Sequence, residues 1–165
     1  MRQQRSLQNG LDMTNTSNAD AETPKVLIAD DDQGIVRLLA NRCAKMGFEV
    51  QTATDGWQAL TGSTRPDVLI VDINMPDLNG LSLAAHLLDR DRTLKIIVIT
   101  SSSYEETAAR CESLGAYYVR KGAGFWNGVR SALLKLFPHM AKDSGNENAG
   151  MQIADWIRNS WRRRF

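Results

Sequence analysis

The sequence predicts an α/β protein: a five-stranded, doubly wound parallel sheet with helices on both faces. Three observations predict it. Four short runs are apolar throughout, namely Val26-Leu27-Ile28-Ala29, Val68-Leu69-Ile70-Val71, Ile96-Ile97-Val98-Ile99 and Tyr117-Tyr118-Val119. Continuous runs of that kind suit strands buried on both faces, as in a parallel sheet. Segments with apolar residues at helical spacing alternate with them, the pattern of right-handed βαβ crossovers. Finally, each run stops on a reactive side chain: Asp30-Asp31-Asp32, Asp72, Thr100 and Arg120-Lys121. Ligands of open parallel sheets bind at the carboxyl ends of the strands, so these groups are expected to share one edge.

Residues 1–23 are polar, rich in Asn, Thr, Gln and Ser, and read as a disordered leader. The folded domain is expected over residues 24–140. Its first strand, about 25–29, runs into a helix starting near Asp32-Gln33. That helix carries Ile35, Leu38, Leu39, Cys43 and Met46 on its apolar stripe, and Gly47 ends it. Phe48 to Ala53 makes the second strand, and Asp55-Gly56 turns into a helix through Leu60. Arg65-Pro66-Asp67 leads into the third strand. Asn79-Gly80 opens the third helix, whose apolar positions are Leu81, Ala84, Leu87 and Leu88. The fourth strand covers about 95–100, and Ser101-Ser102-Ser103 is a loop. A fourth helix spans about Glu105 to Leu114 and stops at Gly115. After a fifth strand at about 117–120, the last helix presents Trp126, Val129, Leu133 and Leu136 before Pro138.

Residues 141–165 read as a linker and a short tail. In the tail Ile153, Trp156, Ile157 and Trp161 form one helical stripe, with Arg158, Arg162 and Arg163 off it. Such a basic aromatic helix suits a partner or an anionic surface; packing back on its own domain, or remaining disordered, is the plainer expectation. The tail is far too short for a helix-turn-helix output domain, so direct DNA binding is not expected.

Composition excludes little by itself. The net charge is +1, with 42% hydrophobic and 24% charged residues, which is ordinary for a globular chain and gives no global case for nucleic acid or membrane. Cys43 and Cys111 each fall inside a predicted helix and read as free buried thiols, with no disulfide framework or zinc site. The N-terminus has no apolar signal core, and a cytoplasmic location is expected.

Asp30, Asp31 and Asp72 at neighbouring strand ends would repel one another, and a hard divalent cation relieves that conflict. Mg²⁺ takes octahedral oxygen ligands, commonly one or two carboxylates with waters and phosphate oxygens. Acidic strand ends therefore point to phosphoryl chemistry. Thr100 can donate to a phosphoryl oxygen, and Lys121 can neutralise another. Taken singly, each group has a structural explanation, such as an N-cap for the aspartate run.

With those motifs in place, the chain resembles the receiver domain of two-component response regulators, of the single-domain type. The resemblance covers about residues 25–138 and rests on VLIADDD, TATDGWQAL, DVLIVDINMPDLNGLSL, IIVITSSS and LGAYYVRK, with DINMPDLNG the most specific. It implies a (βα)5 flavodoxin-like receiver fold in which Asp72 accepts a phosphoryl group from a histidine kinase or a histidine phosphotransfer protein. It also implies a Mg²⁺ ion held by Asp31, Asp72 and the Asn74 backbone carbonyl, with Asp30 acting through water. Thr100 and Lys121 match the phosphoryl-contacting pair, and Thr100 with Tyr118 the switch. Asn74 and Ser102 match positions that tune hydrolysis. The implied output is protein–protein contact through the face of helix four, strand five and helix five.

Two features depart from the family pattern. The lysine is usually followed by proline in a cis peptide, whereas Gly122 follows Lys121. A cis bond before a non-proline residue costs about 2.5–4 kcal/mol, so this bond is expected to be trans. The span from Thr100 to Lys121 is also one residue shorter than usual. Two other functions compete. A haloacid-dehalogenase-type phosphohydrolase would use the Asp30-Asp31-Asp32 run, Thr100 and Lys121, but needs an acidic pair on a later strand. A receiver-like interaction module would bind partners without phosphorylation.

Overall fold

A computed structural model of the chain describes residues 23–62 and 64–141. Strands β1 (Lys25–Ala29), β2 (Glu49–Ala53), β3 (Val68–Asp72), β4 (Lys95–Thr100) and β5 (Tyr117–Arg120) alternate with helices α1 (Gln33–Lys45), α2 (Gly56–Gly62), α3 (Gly80–Arg90), α4 (Tyr104–Ser113) and α5 (Phe125–Leu136). A 3₁₀ turn, Pro138–Ala141, follows. All strand pairs are parallel, in the order β2-β1-β3-β4-β5. The predicted leader lies almost wholly outside the described residues, and the tail stripe lies entirely outside them.

The apolar runs are continuous because alternate residues serve two cores. Leu27, Leu69, Val71, Ile96 and Val98 pack with Leu81, Leu83, Ala84 and Leu87 of α3, Ala59 of α2 and Cys111 of α4. Val26, Ile28, Ile70, Ile97 and Ile99 pack with Leu39 and Cys43 of α1 and Val129 and Leu133 of α5. Side chains alternate across a strand, so the interior strands β1, β3 and β4, covered on both faces, are apolar along their middles, whereas the edge strand β2 carries Glu49, Gln51 and Thr52.

Local chemistry sets the helix ends. Asp32 caps α1, its Oδ1 accepting from the Gly34 N–H at 2.7 Å and the Ile35 N–H at 3.2 Å. Asn79 caps α3 through the Leu81 N–H at 2.9 Å. Gly47, with φ +92°, follows α1 in the left-handed conformation that residues with a Cβ avoid. Both cysteines are free and buried, and burial pushes the Cys43 thiol up to about 12, so it is not a reactive thiolate.

Two apolar stripes differ from expectation. On α1, Val36 is buried and Leu38 is 36% exposed. Val36, Leu39 and Cys43 define the buried line, and Leu38 lies roughly 130° round the helix from its centre. On α3, Leu83 is fully buried while Leu88 is only partly so. This helix also packs against α2, which widens its buried arc beyond one stripe. The second strand starts one residue later than predicted, at Glu49, and α2 runs on to Gly62.

At the end of the sheet away from the aspartates, Asp91 joins the α3–β4 turn to the segment before β3. Its Oδ2 accepts from Arg65 Nε at 2.6 Å, and its Oδ1 accepts from the Thr93 N–H and hydroxyl at 2.9 and 2.7 Å. Arg65 first, then Thr93, hold this carboxyl well below the usual carboxylate range. A depressed folded-state pKa gives stability that is present above the unfolded pKa and lost as pH falls through the folded one. Asp91→Asn is therefore expected to be less stable than wild type at neutral pH. The gap should close as pH falls below 3.8, the ordinary value for the group. Urea unfolding across that range checks it.

Candidate functional site

The order β2-β1-β3-β4-β5 places a topological switch between β1 and β3, where the chain goes to opposite faces and leaves a crevice at the carboxyl ends. Register decides what lines it. Ala29 pairs with Val71, so Asp30 emerges beside Asp72, while Asp72 itself pairs with Ile99. On the far side Thr100 pairs with Arg120, and the Lys121 N–H donates to the Thr100 carbonyl at 2.8 Å. That bond carries the β4–β5 pairing as far as Lys121, whose side chain reaches over the crevice to Asp30 and Asp72.

The result is a compact charged cluster. One carboxylate oxygen from each of Asp30, Asp31 and Asp72 lies within 4.8 Å of the others. Lys121 Nζ donates to Asp72 Oδ2 at 2.8 Å and forms an ion pair with Asp30 Oδ2 at 2.8 Å. Asp30 and Asp72 are buried, whereas Asp31 is exposed at the rim. Burial pushes the Asp30 carboxyl above its ordinary value, although Lys121 and the Asp32 N–H act in the opposite direction. For Lys121, burial disfavours the ammonium, but the hydrogen bonds and charges of Asp30 and Asp72 outweigh it and raise its pKa.

The donor set fits a hard divalent cation. Three carboxyl groups face a single ammonium, more acidic oxygens than one cation can satisfy. Asp72 Oδ1 is buried with no hydrogen-bond partner among the described residues. An oxygen in that condition is costly unless something positive approaches it. Asp30, Asp31 and Asp72 could together hold such an ion through oxygen alone, the chemistry Mg²⁺ favours.

Thr100, fully buried at the next strand end, belongs to a second group centred on Ser102. The Ser102 N–H donates to Thr100 Oγ1 at 3.2 Å, and Asn74 Nδ2 donates to Ser102 Oγ at 3.3 Å. The Tyr118 hydroxyl donates to the Ser102 carbonyl at 2.7 Å. Thus Asn74 of the loop after β3, Thr100 of β4 and Tyr118 of β5 all meet at Ser102. Two of its three links use backbone groups, which carry no signature in sequence. Tyr118→Phe keeps the ring and deletes one bond, so it is expected to cost about 1 kcal/mol, read by urea unfolding.

Among the described residues no strand follows β5, no peptide bond is cis, and no helix is long and apolar enough to cross a membrane. The Lys121–Gly122 bond is therefore trans, as expected. The later acidic strand that a dehalogenase-type hydrolase needs is not found there.

An α/β sheet with this carboxylate–ammonium cluster at its switch point defines a receiver-type domain. The response regulator receiver domain matches residues 26–123, a span that contains every predicted site residue. The chain belongs to that family. It is 37% identical over 102 residues to the transcriptional regulatory protein PrrA of Mycobacterium tuberculosis, covering 60% of this chain and 44% of PrrA. It is 30% identical over 109 residues to the sensor histidine kinase RcsC of Escherichia coli, covering 65% of this chain and 12% of RcsC. The chain therefore spans less than half the length of these relatives. Among solved structures, the response regulator TrrA of Thermotoga maritima, in complex with Mg²⁺ and BeF, aligns with a TM-score of 0.62 at 29% identity, covering 70% of this chain and all of TrrA. The chemotaxis protein CheY4 of Vibrio cholerae aligns with a TM-score of 0.63 at 26% identity, covering 70% and 99%.

Proposed function

We propose that this chain is a phosphoacceptor in a two-component phosphorelay, taking its phosphoryl group on Asp72 from a histidine kinase or a histidine phosphotransfer protein. The observation that carries the reading is the meeting of Asp30, Asp31 and Asp72 with Lys121 at one crevice. The Asp72 carboxylate attacks phosphorus, the phosphorus–nitrogen bond to the donor imidazole breaks, and a mixed anhydride forms that water later hydrolyses. Asp31, Asp72 and the Asn74 backbone carbonyl would hold Mg²⁺, with Asp30 acting through water. When bound, the ion supplies charge neutralisation to carboxylate and phosphoryl oxygens. Lys121 neutralises a further phosphoryl oxygen, and Thr100 donates to another.

The phosphoryl group adds about 1.5–2 negative charges and three strong acceptor oxygens. Thr100 turning toward them gives up its place in the Ser102 group, and Tyr118 follows because both are tied to that residue. The signal then leaves through the face of α4, β5 and α5 to a protein target, in the cytoplasm and without direct DNA contact. The TrrA complex supports the Mg²⁺ assignment, and the match within RcsC supports a partnership with histidine kinases.

Incubation with acetyl phosphate and MgCl₂ tests this by intact mass. An adduct of one phosphoryl group is expected, stable in acid, labile in alkali and lost when EDTA replaces MgCl₂. A chain that never takes up the group is instead a phosphorylation-independent interaction module.

A further inference from the structure

The loop that leads from Asp72 into α3, residues 73–79, is pressed between two glycines. Gly80 opens α3, and its N–H donates to the Ile73 carbonyl at 3.1 Å. A Cβ at Gly80 would lie 1.9 Å from the carbonyl oxygen of Asp72 and 2.8 Å from Val71 Cγ2. Gly56 opens α2, after the strand that pairs with β1 on its other side. A Cβ at Gly56 would lie 2.6 Å from Leu78 Cβ and 2.7 Å from the Leu78 carbonyl oxygen. Both glycines are buried, and neither has a positive φ.

Conformational freedom is thus not what these positions require, and helix propensity alone favours alanine. They require space. At Gly80 the nearest obstructing atoms are backbone, and at Gly56 they are Leu78 Cβ, fixed to its main chain, and the Leu78 carbonyl oxygen, none of which can swing aside as the end of a long side chain can. The loop between them has little slack: Asp77 sits at φ +67°, and the Leu78 N–H donates to the Pro76 carbonyl at 2.8 Å.

We propose that Gly56 and Gly80 are positioning residues for the phosphoacceptor site. Gly56 admits Leu78 of the 73–79 loop, and Gly80 admits the Asp72 carbonyl, to a distance that no L side chain permits, and together they set Asp72 and Asn74 against Asp31. Neither glycine touches a reacting atom. Gly80 acts on the Asp72 main chain directly, and Gly56 acts through Leu78, which ties the seat of α2 to the metal-binding loop. The inference rests on the phosphoacceptor reading of Asp72.

The test compares full-length Gly56→Ala and Gly80→Ala with Leu83→Ala, a fully buried core change in the same α3. Each is confirmed as folded by circular dichroism, titrated with MgCl₂ by calorimetry, and then exposed to acetyl phosphate. The glycine variants are expected to bind Mg²⁺ about tenfold or more weakly, the usual scale for disturbed support of a metal site. Their adduct should form correspondingly more slowly. Leu83→Ala should lose thermal stability and keep wild-type Mg²⁺ affinity. The proposal is overturned if the folded glycine variants bind Mg²⁺ like wild type, or if Leu83→Ala weakens binding equally. Should Gly80→Ala not fold, Gly56→Ala decides alone. A wild-type chain that neither binds Mg²⁺ nor takes the phosphoryl group overturns the functional reading itself, a result distinct from either.

Discussion

Asp72→Asn is expected to fold normally and to take up no phosphoryl group from acetyl phosphate, its adduct falling to background. The amide removes the nucleophile while keeping an oxygen that can accept from Lys121 Nζ, now 2.8 Å from Asp72 Oδ2. It also removes one of three like charges that lie within 4.8 Å of one another. The loss of that repulsion offsets the weakened ion pair, so stability should change less than it does on removal of Lys121. Mg²⁺ affinity should fall. At about 4 Å in a water-like dielectric, a unit charge and a divalent one attract by roughly 2 kcal/mol, which is more than tenfold in binding. Calorimetric titration with MgCl₂ reads that loss independently of the chemistry. Unchanged Mg²⁺ affinity would place the cation site elsewhere.

The second large effect belongs to Lys121→Ala. Lys121 is the cation between two buried carboxylates, and removing one member of a buried ion pair usually costs about 3–5 kcal/mol. Its side chain is 19% exposed, so water reaches the site and the lower end is expected, about 3 kcal/mol in EDTA. Mg²⁺ should then stabilise the variant more than it stabilises wild type, because three carboxylates face the ion with no competing ammonium. For scale, a ligand at a hundred times its Kd returns about 2.7 kcal/mol. Uptake of the phosphoryl group should nonetheless fall by about a hundredfold, the usual cost of deleting one preorganised group that stabilises developing charge. Urea unfolding in EDTA and in MgCl₂, followed by the acetyl phosphate rate, separates the two roles. A variant as stable as wild type in EDTA contradicts the buried pairing.

The strands and the acidic site were legible for one reason. An interior strand of a parallel sheet, buried on both faces, is written as a nearly unbroken apolar run, and the residue that breaks the run stands at the ligand edge; β2, at the edge of the sheet, reads Glu49-Val50-Gln51-Thr52-Ala53 and is not of that kind. Asp30, Asp72 and Thr100 are all such residues. Lys121 was legible by its chemistry but not by its spacing, since the segment from Thr100 is short and Gly122 replaces the usual proline. The structure resolves the spacing through one backbone bond, from the Lys121 N–H to the Thr100 carbonyl.

What escaped the sequence depends on distances across the fold. Val36 and Leu38 are both apolar, and only the seating of α1 on the sheet decides which is buried. Ser102 joins Thr100, Asn74 and Tyr118 largely through its main chain, which any residue type possesses. Gly56 and Gly80 look like ordinary turn and helix-start glycines until the Leu78 and Asp72 carbonyls are placed beside them.

Location of the phosphoryl group tests the central claim most directly. Treating the acetyl phosphate product with borohydride reduces an aspartyl phosphate to homoserine, and peptide sequencing by mass spectrometry then finds the modified position. Homoserine at position 72, absent without Mg²⁺, is the predicted result. Modification at another residue, or an adduct that persists in Asp72→Asn, would contradict the assignment of Asp72 as acceptor.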